Sequence, residues 1–323
     1  MSTGSPRPSD GLTAKVTKRE LVASNVVALE LRALNGAMLP AFTAGAHVDL
    51  HLPNGLVRQY SLCGDPEDRG CYRLGILLAA ESRGGSLSAH RDLTVGIQVL
   101  IGPPRNLFEL TPEGTEVVLV GGGIGITPLL AMAYSLRHAG RVFTLHACAR
   151  AAERLAFRSE IAAFGDAAKV HLDDGRDERP FDFERDVGSW RPGRVLYTCG
   201  PDGFMAMVRE QASAAGWPPE AVRQESFSAA AIEPGERFTV EARRSSVTVE
   251  VGEKMSIAEA LAAAGVAVEL SCEQGVCGTC LTTIVEGIPD HRDLYLTDDE
   301  KARNDCLTIC CSRAKSARLV LDI

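Results

Sequence analysis

The feature that most constrains this chain is a run of cysteines near its C-terminus. The run S-C-E-Q-G-V-C-G-T-C gives Cys272, Cys277 and Cys280 the spacing C-x4-C-x2-C. Plant-type [2Fe–2S] centres use this spacing together with a fourth, more distant cysteine. Gly275 and Gly278 favour a tight loop, because glycine lacks the Cβ atom that restricts other residues. A structural zinc site favours paired C-x2-C units, and only one such pair is present. The pattern therefore predicts an iron–sulfur centre rather than zinc.

Three later cysteines can supply the fourth ligand. Cys306, Cys310 and Cys311 follow Cys280 after 25, 29 and 30 intervening residues. The apolar approach at 307–309 predicts a strand that delivers Cys310. Neighbouring residues on a strand point to opposite faces, so Cys310 and Cys311 cannot both face one centre. We assign Cys310 as the ligand, and Cys306 is the weaker candidate.

Composition excludes several classes of protein. A chain of 323 residues is long enough for two or three domains. Its net charge of −8 argues against nucleic acid and is compatible with docking on a basic protein surface. No apolar stretch approaches the length of a membrane helix, and the Ser- and Pro-rich residues 1–10 resemble a frayed tail rather than a signal peptide. Scattered cysteines outside the cluster motif favour a reducing, cytoplasmic location.

The chain separates into three regimes. Residues 11–110 show short alternating runs and no long helical pattern, which predicts an antiparallel barrel. Residues 115–225 alternate strands and helices, which predicts a parallel sheet with helices on both faces. Residues 229–236 are interpreted as a linker, and a hairpin pattern beginning at Phe238 leads to the cysteine loop. We predict strands at 46–52, 72–78, 95–101, 117–120, 142–147, 194–199 and 319–323, and helices at 128–138, 202–215 and 256–264.

A glycine-rich run, G-G-G-I-G-I-T-P, lies between a predicted strand and a predicted helix. Gly121, Gly122, Gly123 and Gly125 would let the backbone approach a pyrophosphate at a helix N-terminus. Ile126 stands where the usual dinucleotide fingerprint requires glycine, and the run is not a P-loop. Taken alone, it can equally be an ordinary glycine-rich turn.

A second element, Cys199-Gly200-Pro201, also follows a strand and opens a helix. It would lie at the carboxyl edge of the sheet, where open α/β sheets bind ligands. Cys199 can equally be a buried thiol with no function.

Two short runs in the first regime suit a phosphate and a flat ring. Arg58-Gln59-Tyr60-Ser61 supplies an arginine and a tyrosine, and Arg83-Gly84-Gly85-Ser86 supplies backbone amides and a hydroxyl. On chemistry alone, the tyrosine can also be a core residue and Arg58 a solvated one.

Six motifs in one order resemble the phthalate dioxygenase reductase family, to which vanillate O-demethylase and phenoxybenzoate dioxygenase reductases belong. The motifs are R-Q-Y-S-L, R-G-G-S, G-G-G-I-G-I-T-P, C-G-P, E-S-F and C-x4-C-x2-C. The resemblance covers all but the first ten residues. It implies a multidomain chain. The expected parts are an FMN-binding antiparallel β-barrel of the ferredoxin-reductase type at 1–110, an NAD-binding α/β domain with a parallel sheet at 111–228, the linker at 229–236, and a β-grasp plant-type ferredoxin domain at 237–323.

The resemblance also implies roles for individual residues. Flavin contacts are expected at Arg58, Gln59, Tyr60, Ser61, Gly84, Gly85 and Ser86. Nucleotide contacts are expected at Gly121, Gly122, Gly123, Gly125, Asp174, Cys199, Gly200 and Pro201. The reacting centre is expected at Thr127, Cys199 and Phe227, with Phe227 stacked on the flavin. The cluster ligands are expected to be Cys272, Cys277, Cys280 and Cys310. Ser228 follows Phe227 where the family pattern suggests glycine, so the local turn is expected to differ.

These roles imply an NADH-dependent oxidoreductase that passes electrons to a separate Rieske-type oxygenase. NADH gives two electrons together, a [2Fe–2S] cluster takes one at a time, and a flavin can do both. No Rieske ligand pair, C-x-H followed by C-x2-H, occurs in this sequence. We expect a monomer that binds neither nucleic acid nor membrane. The alternative is a ferredoxin-like carrier without its own NADH oxidation. A self-contained hydroxylase would need an oxygen-activating metal site that the sequence does not suggest.

The sequence also bears on cofactor preference. Asp173 and Asp174 follow a predicted strand and would favour the ribose hydroxyls of NADH over the 2′-phosphate of NADPH. A solvated loop is the alternative.

Acidic residues surround the fourth cysteine ligand. Their charge can attract a basic oxygenase surface and orient it toward the cluster. An ordinary solvated face is the alternative. The acidic residues are Glu286, Asp290, Asp293, Asp298, Asp299, Glu300 and Asp305, against Arg292, Lys301 and Arg303.

Overall fold

The computed structural model describes residues 11–80, 82, 84–111, 116–176, 178–227 and 234–323. The predicted tail at 1–10, most of the predicted linker, Arg83 and Ser228 lie outside the described residues. The chain divides into two units. The first comprises residues 1–55 and 59–228, and the second comprises 229–323 together with 56–58.

An antiparallel sheet forms the N-terminal part of the first unit. Its strands run in the order β4-β3-β6-β1-β2-β5, and β7 pairs with β3. A bridge between Leu62 and Leu74 joins the end of β4 to β5, which closes the sheet into the predicted barrel. The elements are β1 (Leu12–Ala23), β2 (Val26–Ala33), β3 (Ala46–His51), β4 (Val57–Ser61), β5 (Tyr72–Leu77), α1 (Gly85–Asp92), β6 (Gln98–Ile101) and β7 (Arg105–Asn106).

Two details of this region differ from the sequence prediction. The run at 84–86 begins a helix, α1, where no helical pattern was expected, and Gly84 precedes it with a left-handed φ of 93°. The predicted strand at 95–101 begins only at Gln98, because the chain first turns at Gly96, whose φ is 101°.

A five-stranded parallel sheet forms the rest of the first unit, in the order β10-β9-β8-β11-β12. Its elements are β8 (Glu116–Gly122), α2 (Ile126–His138), β9 (Val142–Ala149), α3 (Arg158–Ala162), β10 (Ala168–Leu172), α4 (Phe183–Asp186), β11 (Arg194–Cys199), α5 (Asp202–Ala214) and β12 (Val222–Glu225).

Alternating side chains of β8 pack against helices on opposite faces of this sheet. Val118 and Val120 belong to an apolar core with residues of α4 and α5. Gly121, which shares the other face with Val117 and Leu119, approaches Ile126 and Leu129 of α2. This arrangement confirms the predicted α/β sheet. Helix α2 begins two residues earlier than expected, with Pro128 inside its first turn, where a missing N–H costs no hydrogen bond.

The barrel and the parallel sheet pack directly on each other. Gly75 of β5 has no side chain, and a Cβ atom there would come within 2.7 Å of the Thr127 methyl group and 2.8 Å of the Phe157 ring. Arg73 forms an ion pair with Glu160 across the same contact. The barrel therefore approaches the start of α2 closely, which requires glycine at position 75.

The second unit contains a five-stranded mixed sheet in the order β14-β13-β19-β15-β17, and a separate pair, β16-β18. Its elements are β13 (Phe238–Ala242), β14 (Val247–Val251), α6 (Ile257–Ala263), β15 (Leu281–Glu286), β16 (Pro289–Asp290), α7 (Asp298–Arg303), β17 (Cys306–Thr308), β18 (Arg313–Ala314) and β19 (Arg318–Leu321). The parallel pairing of β13 with β19 and the packing of α6 on the core give the predicted β-grasp arrangement.

A buried arginine links separate segments of this unit through hydrogen bonds. Arg313 is 1% exposed, and its guanidinium donates to the carbonyl groups of Met255, Glu236 and Gly252 at 2.7, 2.9 and 2.9 Å. It also lies 5.1 Å from the centre of the Phe238 ring. These contacts replace the water that a charged group loses on burial.

Among the described residues, no helix has both the length and the apolar character required to cross a membrane.

Candidate functional site

The two predicted nucleotide motifs meet at the carboxyl edge of the parallel sheet. Cys199 of β11 is directly opposite Gly121 of β8 in the strand register. A Cβ atom on Gly125 would overlap the backbone of Cys199 and Gly200. Gly122 likewise lies against Phe204, and Gly200 approaches the Gly122 backbone. The glycines are therefore needed for two loops to pack at one edge. Pro201 follows Gly200 and immediately precedes α5.

Thr127 lies at the start of α2, beside these loops. It is 2% exposed, and its hydroxyl donates to the Ile124 carbonyl at 2.9 Å. The methyl group consequently faces Gly75 of the barrel. Thr127 thus lies where the barrel and the glycine loop come together.

Glu225 joins the same edge from β12, where it pairs in register with Cys199. The residue as a whole is half-buried, but its Oε2 atom is fully buried and has no hydrogen-bond partner among the described residues. Its carboxyl group is hydrogen-bonded to Ser61, a buried residue at the end of β4. Glu225 therefore connects the barrel to the sheet edge.

Burial controls the charge of both groups on this edge. It raises the pKa of Glu225 from 4.5 to about 8, while the Ser61 hydrogen bond opposes the rise. Burial also raises the pKa of the Cys199 thiol well above 9.0, and Glu225 adds to the effect when it is ionised. Both shifts favour the neutral form of these groups at neutral pH.

The predicted flavin residues of β4 have mixed environments. Gln59 donates to Asp49 at 3.3 Å, and Asp49 forms an ion pair with Arg105 at 2.7 Å. Tyr60 is half-buried, and an Arg58 guanidinium nitrogen donates to the Val57 carbonyl at 2.8 Å.

The predicted phosphate residues lie at the N-terminal end of α1. Gly84 and Gly85 bring the chain into the helix, whose first amides favour an anion. The Ser86 hydroxyl accepts from the Ala79 amide at 3.1 Å and donates to Ser82 at 2.9 Å.

Two further predicted residues are exposed. Asp174 follows β10, two strands away from β8, and accepts a hydrogen bond from the Arg176 amide at 3.2 Å. Phe227, two residues beyond Glu225, is 44% exposed.

The predicted cluster cysteines converge in the second unit. The Cys277 thiol contacts that of Cys272, and the Cys310 thiol contacts those of Cys272, Cys280 and Cys311. The Gln274 amide donates to the Cys272 sulfur at 3.3 Å, as befits a thiolate ligand. The four predicted ligands among these thiols match the donor set of a [2Fe–2S] cluster. All ten cysteines of the chain are free thiols.

The described residues include no group of three or more His, Cys, Asp or Glu side chains with the geometry of a metal-ion site. A [2Fe–2S] cluster divides its four cysteine ligands between two irons, so its ligands need not surround a single point.

The strand argument that separated Cys310 from Cys311 is wrong. Strand β17 ends at Thr308, and both cysteines lie in the turn that follows and are buried. The Cys311 sulfur lies beneath the cysteine loop, where a Cβ atom on Gly275 would overlap it. It contacts the Cys310 thiol and lies 3.2 Å from the Thr308 hydroxyl. Cys306 precedes this turn on β17 and contacts Asp305.

Sequence reasoning did not single out Glu225 as a site residue. It occurs in the quoted run E-S-F, but only its neighbour Phe227 received a role. The available signal was an acidic residue at the end of the strand that follows C-G-P.

A closed barrel packed on a parallel sheet, followed by a β-grasp unit with four converging thiols, defines an iron–sulfur oxidoreductase of the ferredoxin-reductase type. Residues 240–315 match the 2Fe-2S iron-sulfur cluster binding domain family. The chain is 44% identical over 312 residues to vanillate O-demethylase oxidoreductase of Pseudomonas sp. strain HR199, covering 95% of this chain and 98% of that one. It is 41% identical over 323 residues to tetrachlorobenzoquinone reductase of Sphingobium chlorophenolicum, covering 98% and 99%.

The solved structure of phthalate dioxygenase reductase, described as modular for electron transfer from pyridine nucleotides to [2Fe-2S], matches with a TM-score of 0.74 and 39% identity. The match covers 99% of this chain and 100% of that one. The chain belongs to the phthalate dioxygenase reductase family, and the resemblance drawn from its six motifs is confirmed.

Proposed function

We propose that this chain oxidises NADH, holds FMN and a [2Fe–2S] cluster, and passes single electrons to the terminal oxygenase of a Rieske-type aromatic oxygenase or demethylase system. One observation carries the proposal: Ser61 of the barrel meets Glu225 at the sheet edge, beside Cys199 and the glycine loop. A ring held by the barrel and a nucleotide held by the sheet would share this edge.

The chain's own residues would bind and orient the two ligands. Gly121, Gly122, Gly123 and Gly125 would leave room for the NADH pyrophosphate at the start of α2. Asp174, at the same edge of the sheet, would accept from the adenosine ribose hydroxyls. These contacts would direct the nicotinamide toward Thr127 and Cys199.

The barrel would hold the FMN through β4 and α1. Arg58, Gln59 and Tyr60 would contact the ring and its chain, and Gly85 and Ser86 would contact the phosphate. Phe227 would cover the exposed face of the ring.

The uncharged edge suits hydride transfer. A bound flavin accepts two electrons and releases them one at a time to the iron–sulfur centre. Ionised groups at Glu225 and Cys199 would oppose the arrival of a negatively charged hydride, and burial keeps both neutral.

Visible spectroscopy of the purified protein tests the proposal. We expect a flavin band beside the absorption of the cluster, and both should bleach when NADH is added without oxygen. Heat-released cofactor should be FMN by mass spectrometry. A ferredoxin-like carrier would show cluster absorption alone and would not respond to NADH.

The tetrachlorobenzoquinone reductase relative gives one specific alternative, in which the acceptor is a quinone. A quinone takes two electrons and could receive them from the flavin without the cluster. The Cys310→Ser variant separates the two functions. Quinone reduction should survive this change, whereas reduction of a one-electron protein acceptor should be lost.

A further inference from the structure

One apolar side chain in the second unit stands out by its exposure. Leu294 is 84% exposed, the highest value for any large hydrophobic side chain among the described residues. Nearby residues in the same turn are buried, since Asp293 and Leu296 are only 2% and 6% exposed. Within residues 293–296, Leu294 is the one exposed residue, while Tyr295 is half-buried.

The backbone that carries Leu294 is tightly held. The Leu294 amide donates to the Gly275 carbonyl at 3.0 Å. The buried Asp293 carboxylate accepts from the Leu296 amide at 2.8 Å, and the Asp293 carbonyl accepts from Lys301 at 2.7 Å. Because these hydrogen bonds fix the backbone around Leu294, the segment would lose little conformational freedom when a partner covers this side chain.

The segment lies on the cysteine loop. Gly275 stands between Cys272 and Cys277 in the chain. The next glycine of the loop, Gly278, has φ of +73°, and a Cβ atom there would overlap the Tyr295 ring. Leu294 is therefore exposed at the rim of the loop that carries the proposed cluster, where an electron acceptor has to approach.

Acidic side chains follow immediately. Helix α7 begins at Asp298, and Asp298 and Asp299 are both exposed. Thr297 caps this helix and accepts from the Glu300 amide at 3.3 Å, which fixes the acidic turn in place. An apolar side chain beside fixed negative charge fits an apolar recess with a basic rim.

We propose that Leu294, together with Asp298 and Asp299, forms the docking surface for a one-electron acceptor protein whose redox centre lies in an apolar recess ringed by lysine or arginine. This inference rests on the proposed function, because it assigns the acceptor side of the same electron path. Leu294 supplies the buried contact, and the two aspartates supply orientation and rate of encounter.

Binding of the full chain, loaded with its cluster, to immobilised cytochrome c tests the surface. Cytochrome c is a basic one-electron carrier with an exposed apolar haem edge, and a binding measurement requires no electron transfer. We expect Leu294→Ser to raise Kd about fivefold or more at low salt. The double variant Asp298→Asn, Asp299→Asn should also raise Kd and should flatten its dependence on salt, whereas Leu294→Ser should keep that dependence.

A matched control is Ile288→Ser, which removes an exposed apolar side chain, 54% exposed, from the turn between β15 and β16 of the same unit. Its Kd should equal that of the unaltered protein, and all variants should retain the cluster absorption. Equal Kd values for Leu294→Ser and the unaltered protein would overturn the proposal, as would an equal loss in Ile288→Ser. Failure of the proposed function would appear separately, as missing flavin or absent bleaching by NADH.

Discussion

Replacing Glu225 by glutamine tests whether this carboxyl group is neutral under physiological conditions. Burial raises its pKa from 4.5 to about 8, although the hydrogen bond to Ser61 favours the ionised form. The rise corresponds to about 5 kcal/mol in favour of the protonated group. At pH 7 roughly nine in ten molecules would hold this proton.

The sign of the effect on stability follows from where the proton is released. Between pH 4.5 and about 8 the folded chain holds a proton that the unfolded chain releases. The contribution is complete below pH 4.5 and is lost as the pH rises through about 8. Glutamine cannot ionise, so Glu225→Gln should have the same stability as the unaltered protein only below about pH 4.5. Above pH 8 it should be more stable, by up to about 5 kcal/mol.

Infrared difference spectra at pH 7 provide the direct assay. The unaltered protein should show the carbonyl stretch of a protonated carboxyl group that Glu225→Gln lacks. Ser61→Ala should raise the pKa of Glu225 further, because it removes the hydrogen bond that favours the carboxylate. If the two spectra coincide and the two proteins melt in parallel from pH 5 to 9, burial does not neutralise this group.

Further outcomes are expected at four places. Cys310→Ser should abolish the visible and paramagnetic signals of the cluster while Cys306→Ser keeps them, and a normal spectrum in Cys310→Ser would reject the ligand assignment. The kcat/KM for NADH should exceed that for NADPH by about tenfold or more, which corresponds to about 1.4 kcal/mol. Asp174→Asn should reduce this ratio. Equal kcat/KM values for the two nucleotides in the unaltered protein would contradict the preference for NADH. Burial lowers the pKa of His146 to about 4. The free energy of unfolding should therefore fall by roughly 3 kcal/mol as the pH drops from 6.5 to 4, and His146→Leu should reduce this pH dependence. Arg313→Met should destabilise the second unit by roughly 3 kcal/mol, since three carbonyl groups lose their donor. Urea unfolding can be monitored by the absorption of the cluster, and an unchanged midpoint would refute this role of Arg313.

The sequence predicted structural elements well where they depend on residues that are close together in the chain. The cysteine spacing, the glycine runs and the alternation of strands each depend on neighbours in sequence. The turn at Cys310 was missed because an apolar run resembles a strand until its pairing partner is known, and β15 pairs with β17 only as far as Thr308. Glu225 and Leu294 were missed because their burial and exposure depend on segments far away in the chain.

The position of β19 also has a consequence for how the second unit forms. β13 pairs in parallel with β19, about eighty residues later, and β15 pairs with β19 as well. Because such distant contacts must wait for the intervening chain, this unit should fold slowly, and only after β19 has emerged from the ribosome. A deletion of residues 318–323 would leave two strands without their common neighbour. Such a truncated protein should be captured by chaperones or proteases before it can ever accept iron.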